Sequence, residues 1–145
     1  MATPETNITE GRPPGTVWIA LAALHGAISV MAGAFAAHAL DPVADAKRIG
    51  WLHTGSLYEA LHGLAMLAVC SLLIMGRDGR GPLNRRLGQT ALWLFCVGAL
   101  LFPGALYGLA AEGPRWLGAV VPFGGTALIA GWAVLAWAAL RGCKL

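Results

Sequence analysis

Long stretches without a formal charge constrain this chain more than any other feature. Residues 13–40, 87–111 and 116–140 contain no Asp, Glu, Lys or Arg, and residues 49–76 contain only Glu59. A helix that crosses the hydrocarbon core of a bilayer needs about 20 predominantly apolar residues, and each stretch is long enough. The sequence therefore predicts four transmembrane helices, over about residues 17–40, 54–75, 87–110 and 116–140.

Composition agrees with an all-α integral membrane bundle whose helices are joined by short loops. Hydrophobic residues make up 57% of the 145-residue chain and charged residues 12%, whereas a soluble domain carries about a quarter charged residues. This composition excludes a soluble enzyme and a disordered chain. We expect residues 17–140 to form one membrane domain, between a flexible polar tail (1–16) and a short basic tail (141–145).

The basic residues are distributed unevenly between the two sides of the predicted bundle. The side that holds both termini and the second loop carries seven, and the other side carries Lys47, Arg48 and Arg115. The positive-inside rule then predicts cytoplasmic N- and C-termini. The seven residues are Arg12, Arg77, Arg80, Arg85, Arg86, Arg141 and Lys144. Because these bases flank spans, where anionic lipid attracts them, we expect membrane lipid and not nucleic acid as their partner.

Glycine and proline mark two further features of the spans. Gly33-x-x-x-Ala37 and Gly104-x-x-x-Gly108 are small-residue motifs of the kind that lets helices approach closely, within one chain or between copies. Proline inside a helix removes one backbone hydrogen bond. We therefore predict helix breaks in the third and fourth spans, at Pro103 with Gly104 and at Pro122 with Gly124 and Gly125.

Polar side chains inside the spans are the candidate functional residues. Glu59 is the only formal charge within a span, and an intramembrane ionisable group is a functional-site hypothesis by default. His62 follows one turn later on the same helix face, and Tyr58 is close to both. His38 and Tyr107 lie at a similar predicted depth on other helices. The sequence predicts a cluster of His38, Tyr58, Glu59, His62 and Tyr107 in the outer third of the bundle.

Two interpretations of this cluster stay open, namely hydrogen bonds that fix helix packing and a proton relay through Glu59 and His62. A haem site is disfavoured because neither His38 nor His25, which we expect at a deeper level, matches the depth of His62. The single Glu59-x-x-His62 match is too little for a di-iron site. We find no nucleotide-binding, metalloprotease or acyl-transfer motif. The chain is expected to have no catalytic residues, metal or cofactor.

Four segments together resemble the YgdD-like family of small four-helix membrane proteins, whose domain has no known function. They are G-A-F-A-A-H-A-L (33–40), W-L-H-T-G-S-L-Y-E-A-L-H (51–62), L-F-P-G-A-L-Y (101–107) and V-P-F-G-G-T-A-L-I-A-G-W (121–132). The resemblance implies four spans, inner-membrane residence (the mitochondrial inner membrane in a eukaryote) and no established activity.

The resemblance also implies a set of motif positions of undefined role. These are Gly33, Phe35, His38, Trp51, Thr54, Tyr58, His62, Gly104, Tyr107, Pro122, Gly124, Gly125, Gly131 and Trp132. The chain departs from the family pattern at Pro103 and Ala105, where small hydroxyl residues are usual, and at Glu59, where glutamine is usual. His25 is not part of the pattern. These departures favour packing over a charge-dependent relay.

Three hypotheses of function follow. The first is a non-catalytic structural or accessory component that acts through helix–helix contacts with itself or with a larger membrane complex. The second is a small transport or proton-relay protein that uses Glu59 and His62. The third is a protein that binds a lipid or quinone in an outer pocket lined by Tyr58, Phe102 and Tyr107.

Overall fold

The computed structural model describes residues 15–76 and 81–142, and every regular element in these ranges is an α-helix. The helices are α1 (Thr16–His38), α2 (Ala46–Met75), α3 (Arg85–Ala110) and α4 (Leu117–Leu140). All four are long and apolar enough to cross a membrane, which confirms the all-α four-span fold. Most of the predicted tails, residues 1–14 and 143–145, and residues 77–80 of the second loop lie outside the described residues.

Helix α2 begins eight residues before the expected start of the second span at residue 54. A tight turn leads into it, because Asp41 Oδ1 accepts hydrogen bonds from the backbone N–H groups of Val43 and Ala44, both at 2.8 Å. The N–H groups of Ala44 and Val43 hold the pKa of this exposed carboxyl below its usual range. The first turns of α2 are therefore a polar extension of the helix beyond the apolar span.

Arg48 in this extension joins two loops at one end of the bundle. Its Nε donates to the carbonyl oxygen of Ala110 at 2.6 Å, and its Nη1 lies 2.8 Å from Asp45 Oδ1 and 3.3 Å from Glu112 Oε1. We call this the Arg48 end, which contains the loops 39–45 and 111–116. The opposite end, where α1 and α3 begin, is the Arg85 end.

Helices α2 and α3 form the centre of the bundle. Helix α1 packs mainly on α2, and α4 packs mainly on α3. The core between them contains Met66 and Val69 of α2, Leu92 and Phe95 of α3, and Leu128 of α4. Helices α1 and α4 lie towards the outside of the bundle. Their outer faces are exposed and apolar, as expected for helices that contact lipid.

The α3–α4 contact is unusually close, and the prolines do not interrupt it. A Cβ on Gly124 would lie 2.8 Å from Phe102 Cα, and one on Gly98 would lie 3.0 Å from the Leu128 nitrogen. Helix α3 continues through Pro103 and α4 continues through Pro122. The predicted breaks at Pro103–Gly104 and at Pro122, Gly124 and Gly125 are therefore wrong. Each proline removes only one hydrogen bond, and packing against a neighbouring helix keeps the backbone helical.

Candidate functional site

Glu59 lies at the centre of a hydrogen-bond network that joins three helices. The residue is only 3% exposed. Its Oε1 lies 2.9 Å from Nδ1 of His25 on α1, and its Oε2 accepts a hydrogen bond of 2.7 Å from the hydroxyl of Tyr107 on α3. We call Glu59, His25 and Tyr107 the Glu59 triad. It links α1, α2 and α3 at a point where the surrounding solvent is hydrocarbon.

The triad is electrically neutral when Glu59 and His25 share one proton. The proton resides on His25, giving a carboxylate–imidazolium pair, or on Glu59, giving a carboxylic acid that donates to Nδ1. Both arrangements satisfy the 2.9 Å contact and leave no net charge in the bilayer, where an unpaired charge is costly. Tyr107 donates to the second oxygen in either case, so both carboxyl oxygens have a partner.

Gly55 provides the space that Tyr107 occupies. A Cβ at this position would lie 2.5 Å from Cε1 and 3.2 Å from Cζ of the Tyr107 ring. Gly55 is one helical turn before Glu59 on the same face of α2. The absence of a side chain at Gly55 therefore lets the phenol lie flat against α2 and reach the carboxylate.

His62 belongs to a separate network that joins α2 to α4. Its Nδ1 lies 2.7 Å from the carbonyl oxygen of Tyr58, and its Nε2 lies 3.1 Å from Nε1 of Trp132. A carbonyl can only accept and an indole N–H can only donate. The imidazole is therefore neutral with its hydrogen on Nδ1, and neither ring nitrogen is free to bind a metal or haem iron.

The structure divides the predicted cluster. Glu59 and Tyr107 are in direct contact, whereas His62 faces α4 and Tyr58 presents its ring to His62 and Phe102. His38 is exposed at the end of α1, thirteen residues or about 20 Å from His25 at the helical rise, and so lies away from the triad. Because Glu59 and His62 belong to different networks, the structure gives no support to a relay between them.

His25 is the residue that sequence reasoning missed. The prediction placed it deeper than the cluster because it started the second span at residue 54, whereas α2 starts at Ala46. With this earlier start, Ala22 lies against Gly63, the Ser29 carbonyl accepts a hydrogen bond from Ser56, and His25 is at the level of Glu59. The available signal was the match between two polar pairs in otherwise apolar spans, His25 with Ser29 and Ser56 with Glu59, since polar groups in a membrane are expected to face one another.

A groove with a volume of about 510 Å³ opens sideways between α2 and α4, and we call it the lateral groove. The rings of Tyr58 and Phe102, whose centroids are 4.9 Å apart, form one part of its wall. The hydrogen-bonded pair of His62 and Trp132 forms another part of the wall. Tyr107 belongs to the triad and is not in the lining. The lining residues are Leu57, Tyr58, Leu61, His62, Phe102, Gly125, Leu128, Ile129 and Trp132.

The part of the chain that the structure describes contains no candidate metal site. Within residues 15–76 and 81–142, no group of three or more His, Cys, Asp or Glu side chains is placed to hold a metal ion. Cys70 and Cys96 are free thiols inside spans. The expectation that the chain uses no metal, cofactor or catalytic residue stays a prediction.

Comparison with known proteins identifies the family. Residues 32–125 match the family model described as "Protein of unknown function (DUF423)". A UPF0382 membrane protein of Haemophilus influenzae is 38% identical over 128 residues, which are 88% of this chain and 97% of that protein. The UPF0382 inner membrane protein YgdD of Escherichia coli K12 is 36% identical over 123 residues, 83% of this chain and 86% of that protein.

A third relative extends the comparison. The UPF0382 membrane protein YwdK of Bacillus subtilis is 35% identical over 125 residues, 86% of this chain and 97% of that protein. No solved structure matches the chain. The four apolar helices and these relatives place the protein in the inner membrane as a multi-pass protein. The chain belongs to the DUF423 family of membrane proteins, also named UPF0382, for which no catalytic function is indicated.

Proposed function

We propose that this protein is a non-catalytic membrane protein that binds a neutral lipid in the lateral groove. The observation that carries the proposal is the groove itself, a recess of about 510 Å³ between two membrane-spanning helices. Ligand pockets in proteins typically measure about 300–1,000 Å³ and are mostly apolar with a few polar groups. A lateral opening between spans gives a ligand direct entry from the bilayer.

The chemistry of the lining supports a neutral ligand. Leucine, isoleucine and aromatic side chains form most of the wall, and the lining contains no Asp, Glu, Lys or Arg. Both nitrogens of His62 are already hydrogen-bonded. Among the described residues, the hydroxyl of Tyr58 is the polar side-chain group of the wall without a hydrogen-bond partner. The groove therefore suits an apolar chain or ring with one carbonyl or hydroxyl oxygen, such as an isoprenoid quinone.

Filling the groove is expected to abolish this binding. A Cβ on Gly125 makes only ordinary contacts with Phe102, at 3.6 and 3.8 Å, so Gly125→Leu fits α4 while its side chain occupies the groove. Purified in a mild detergent, the wild type should retain neutral lipid in native mass spectra and Gly125→Leu should lose it.

Gly118→Leu is the matched control, because a Cβ on Gly118 on the same helix contacts nothing within 4 Å. Equal lipid retention by wild type, Gly125→Leu and Gly118→Leu would refute the proposal. Loss of the lipid by Tyr58→Phe as well would assign the hydrogen bond to the Tyr58 hydroxyl.

An accessory role through helix–helix contacts, with a second copy or a larger membrane complex, stays a prediction. Gly104 on α3 supports it, since a Cβ there meets open space and the bare backbone lies on the outer surface of the bundle, where another helix gains close contact. Crosslinking in native membranes tests it. A protein that remains a lone monomer in wild type and in Gly104→Leu alike would contradict an accessory role.

Cytoplasmic N- and C-termini are also proposed, on the basis of seven basic residues on the side of the termini against three on the other. The Arg85 end then faces the cytoplasm and the Arg48 end faces outwards. A reporter that is active only in the cytoplasm, fused after Leu145, should be active. Activity of a reporter that works only in the outer compartment would reverse the orientation.

A further inference from the structure

Polar side chains continue from the Glu59 triad along the α1–α2 interface towards the Arg48 end. Ser56 is three residues before Glu59, and Ser29 is four residues after His25, so each lies one turn from its partner in the triad. The Ser56 hydroxyl donates to the Ser29 carbonyl oxygen at 2.8 Å. One turn further on α2, His53 is exposed. These polar residues lie between the buried carboxyl and this end of the bundle, and we call them the polar path.

A recess of about 490 Å³ accompanies this path. His53 and Ser56 provide its polar groups, and Ala60, the neighbour of Glu59 in the chain, is part of its lining. A single water molecule occupies about 30 Å³ in the liquid, so the recess has room for several. Its lining is Gly33, Ala37, His53, Ser56, Leu57 and Ala60.

The opposite direction from the triad is closed by apolar packing. A Cβ on Gly63 would lie 3.2 Å from the Ala22 carbonyl oxygen, so α1 and α2 are in close backbone contact directly beyond His25. Met66 and Val69 follow on α2 and are 0% and 1% exposed. Between the triad and the Arg85 end, the interface of the described residues therefore offers protons no comparable path.

We propose that Glu59 and His25 form a proton-binding site that exchanges protons only with the Arg48 end. In the neutral state the pair shares one proton. Uptake of one proton through the recess gives a Glu59 carboxylic acid beside a His25 imidazolium, and release of that proton by the same route restores the neutral pair. Because the other side is closed, no proton crosses the membrane. The site senses the proton concentration at one face and does not transport protons.

Few titratable or charged groups face the pair of Glu59 and His25. Tyr107 of α3 donates to Glu59, and His62 on the next turn of α2 is directed to Trp132 of α4. The facing residues of α1 are Ala22 and Ser29, which carry no charge. No Lys or Arg lies between residues 49 and 76. A proton that is taken up or released at this depth is therefore taken up or released by Glu59 and His25.

The proposal is tested by a pH jump applied to the protein in lipid nanodiscs, with time-resolved infrared spectroscopy to follow the protonation change. The carboxyl band of Glu59 is identified by its loss in Glu59→Gln. In the wild type this band should appear on proton uptake if the neutral pair is carboxylate–imidazolium, and should shift if it is carboxylic acid–imidazole, because the carboxyl group then loses its hydrogen bond to Nδ1. Ala37→Leu, which fills the exposed recess without touching the triad, should slow the response strongly, whereas Ala34→Leu, exposed on the same helix outside the lining, should respond as the wild type does.

Two results would overturn the proposal, namely a Glu59 band that does not respond to pH and equal responses of Ala37→Leu and Ala34→Leu. A net proton flux across proteoliposomes that depends on Glu59 would contradict the inference that the Arg85 side of the triad is closed to protons. The lateral groove lies between α2 and α4 and shares only Leu57 with the lining of the recess, so lipid retention is expected to be unchanged by Ala37→Leu. This separates a failure of the proton site from a failure of the proposed lipid binding.

Discussion

Replacing His25 by leucine is expected to lower the free energy of unfolding by about 3 kcal/mol, the lower part of the range measured for breaking a buried ion pair. The substitution removes the partner of Glu59 Oε1 and leaves a carboxyl group that is 3% exposed beside an apolar side chain. Tyr107 continues to donate to Oε2, which limits the loss. Thermal unfolding in detergent, calibrated by a reversible unfolding assay, measures the change.

The double variant His25→Leu/Glu59→Leu is the decisive control. Replacing both members of a buried pair by apolar residues of similar size is often neutral or stabilising. The double variant should therefore be more stable than His25→Leu, and the cycle with Glu59→Leu gives the coupling energy. Equal stability of His25→Leu and the wild type would show that the contact contributes nothing and would contradict a shared proton. Tyr107→Phe should cost less, about 1 kcal/mol for one hydrogen bond.

The fold could be predicted because a bilayer imposes a simple rule on the sequence. A charge within hydrocarbon is costly, so the ends of the long uncharged stretches fix the approximate ends of the helices. The rule fails at the start of α2, where Lys47 and Arg48 belong to the helix but not to the apolar span. Arg48 is satisfied by Asp45 three residues earlier, by Glu112 and by the carbonyl oxygen of Ala110 at the end of α3. The last two are tertiary contacts, which leave no local pattern in the sequence.

The candidate site could be predicted only in part. The depth of a residue along one helix does not determine which residue of the neighbouring helix it contacts. Glu59 was found from its charge and Tyr107 from its depth. His25 was missed because the prediction started the second span at residue 54, eight residues after the start of α2, and so placed Glu59 too close to the end of the bundle. His62 was assigned to the wrong network because two residues three apart on a helix differ by about 60° in direction, enough to face different neighbours.

The same limit applies to the glycines. Gly104-x-x-x-Gly108 has the sequence spacing of a packing motif, yet a Cβ on Gly104 meets nothing within 4 Å, while one on Gly108 would lie 2.6 Å from Leu117 Cδ1. The closest approach of α3 and α4 lies instead at Gly124, which the sequence suggested as a helix break. Spacing alone does not show which side of a helix a glycine faces.

Replacing Gly124 and Gly104 separately by alanine tests whether α3 and α4 are in close contact at the first glycine and not at the second. Gly124→Ala would place its Cβ 2.8 Å from Phe102 Cα. Because the obstacle is backbone, the helices must separate, and we expect a loss of about 3 kcal/mol, the upper part of the range for overpacking. Separation would also weaken neighbouring contacts, including the ring contact between Tyr58 and Phe102 on the lateral groove. Unfolding in detergent measures the loss, and native mass spectrometry should show reduced lipid retention.

Gly104→Ala is the matched substitution on the partner helix. Its added methyl group meets open space, and alanine favours a helix over glycine by up to about 1 kcal/mol. This variant should therefore be as stable as the wild type or slightly more stable. Because α3 and α4 are in close contact at Gly124 but not at Gly104, the two variants should differ by about 3–4 kcal/mol in stability although the chemical change is identical. Equal stabilities would mean that α3 and α4 do not meet at Gly124, and the position assigned to the lateral groove beside them would have to be abandoned as well.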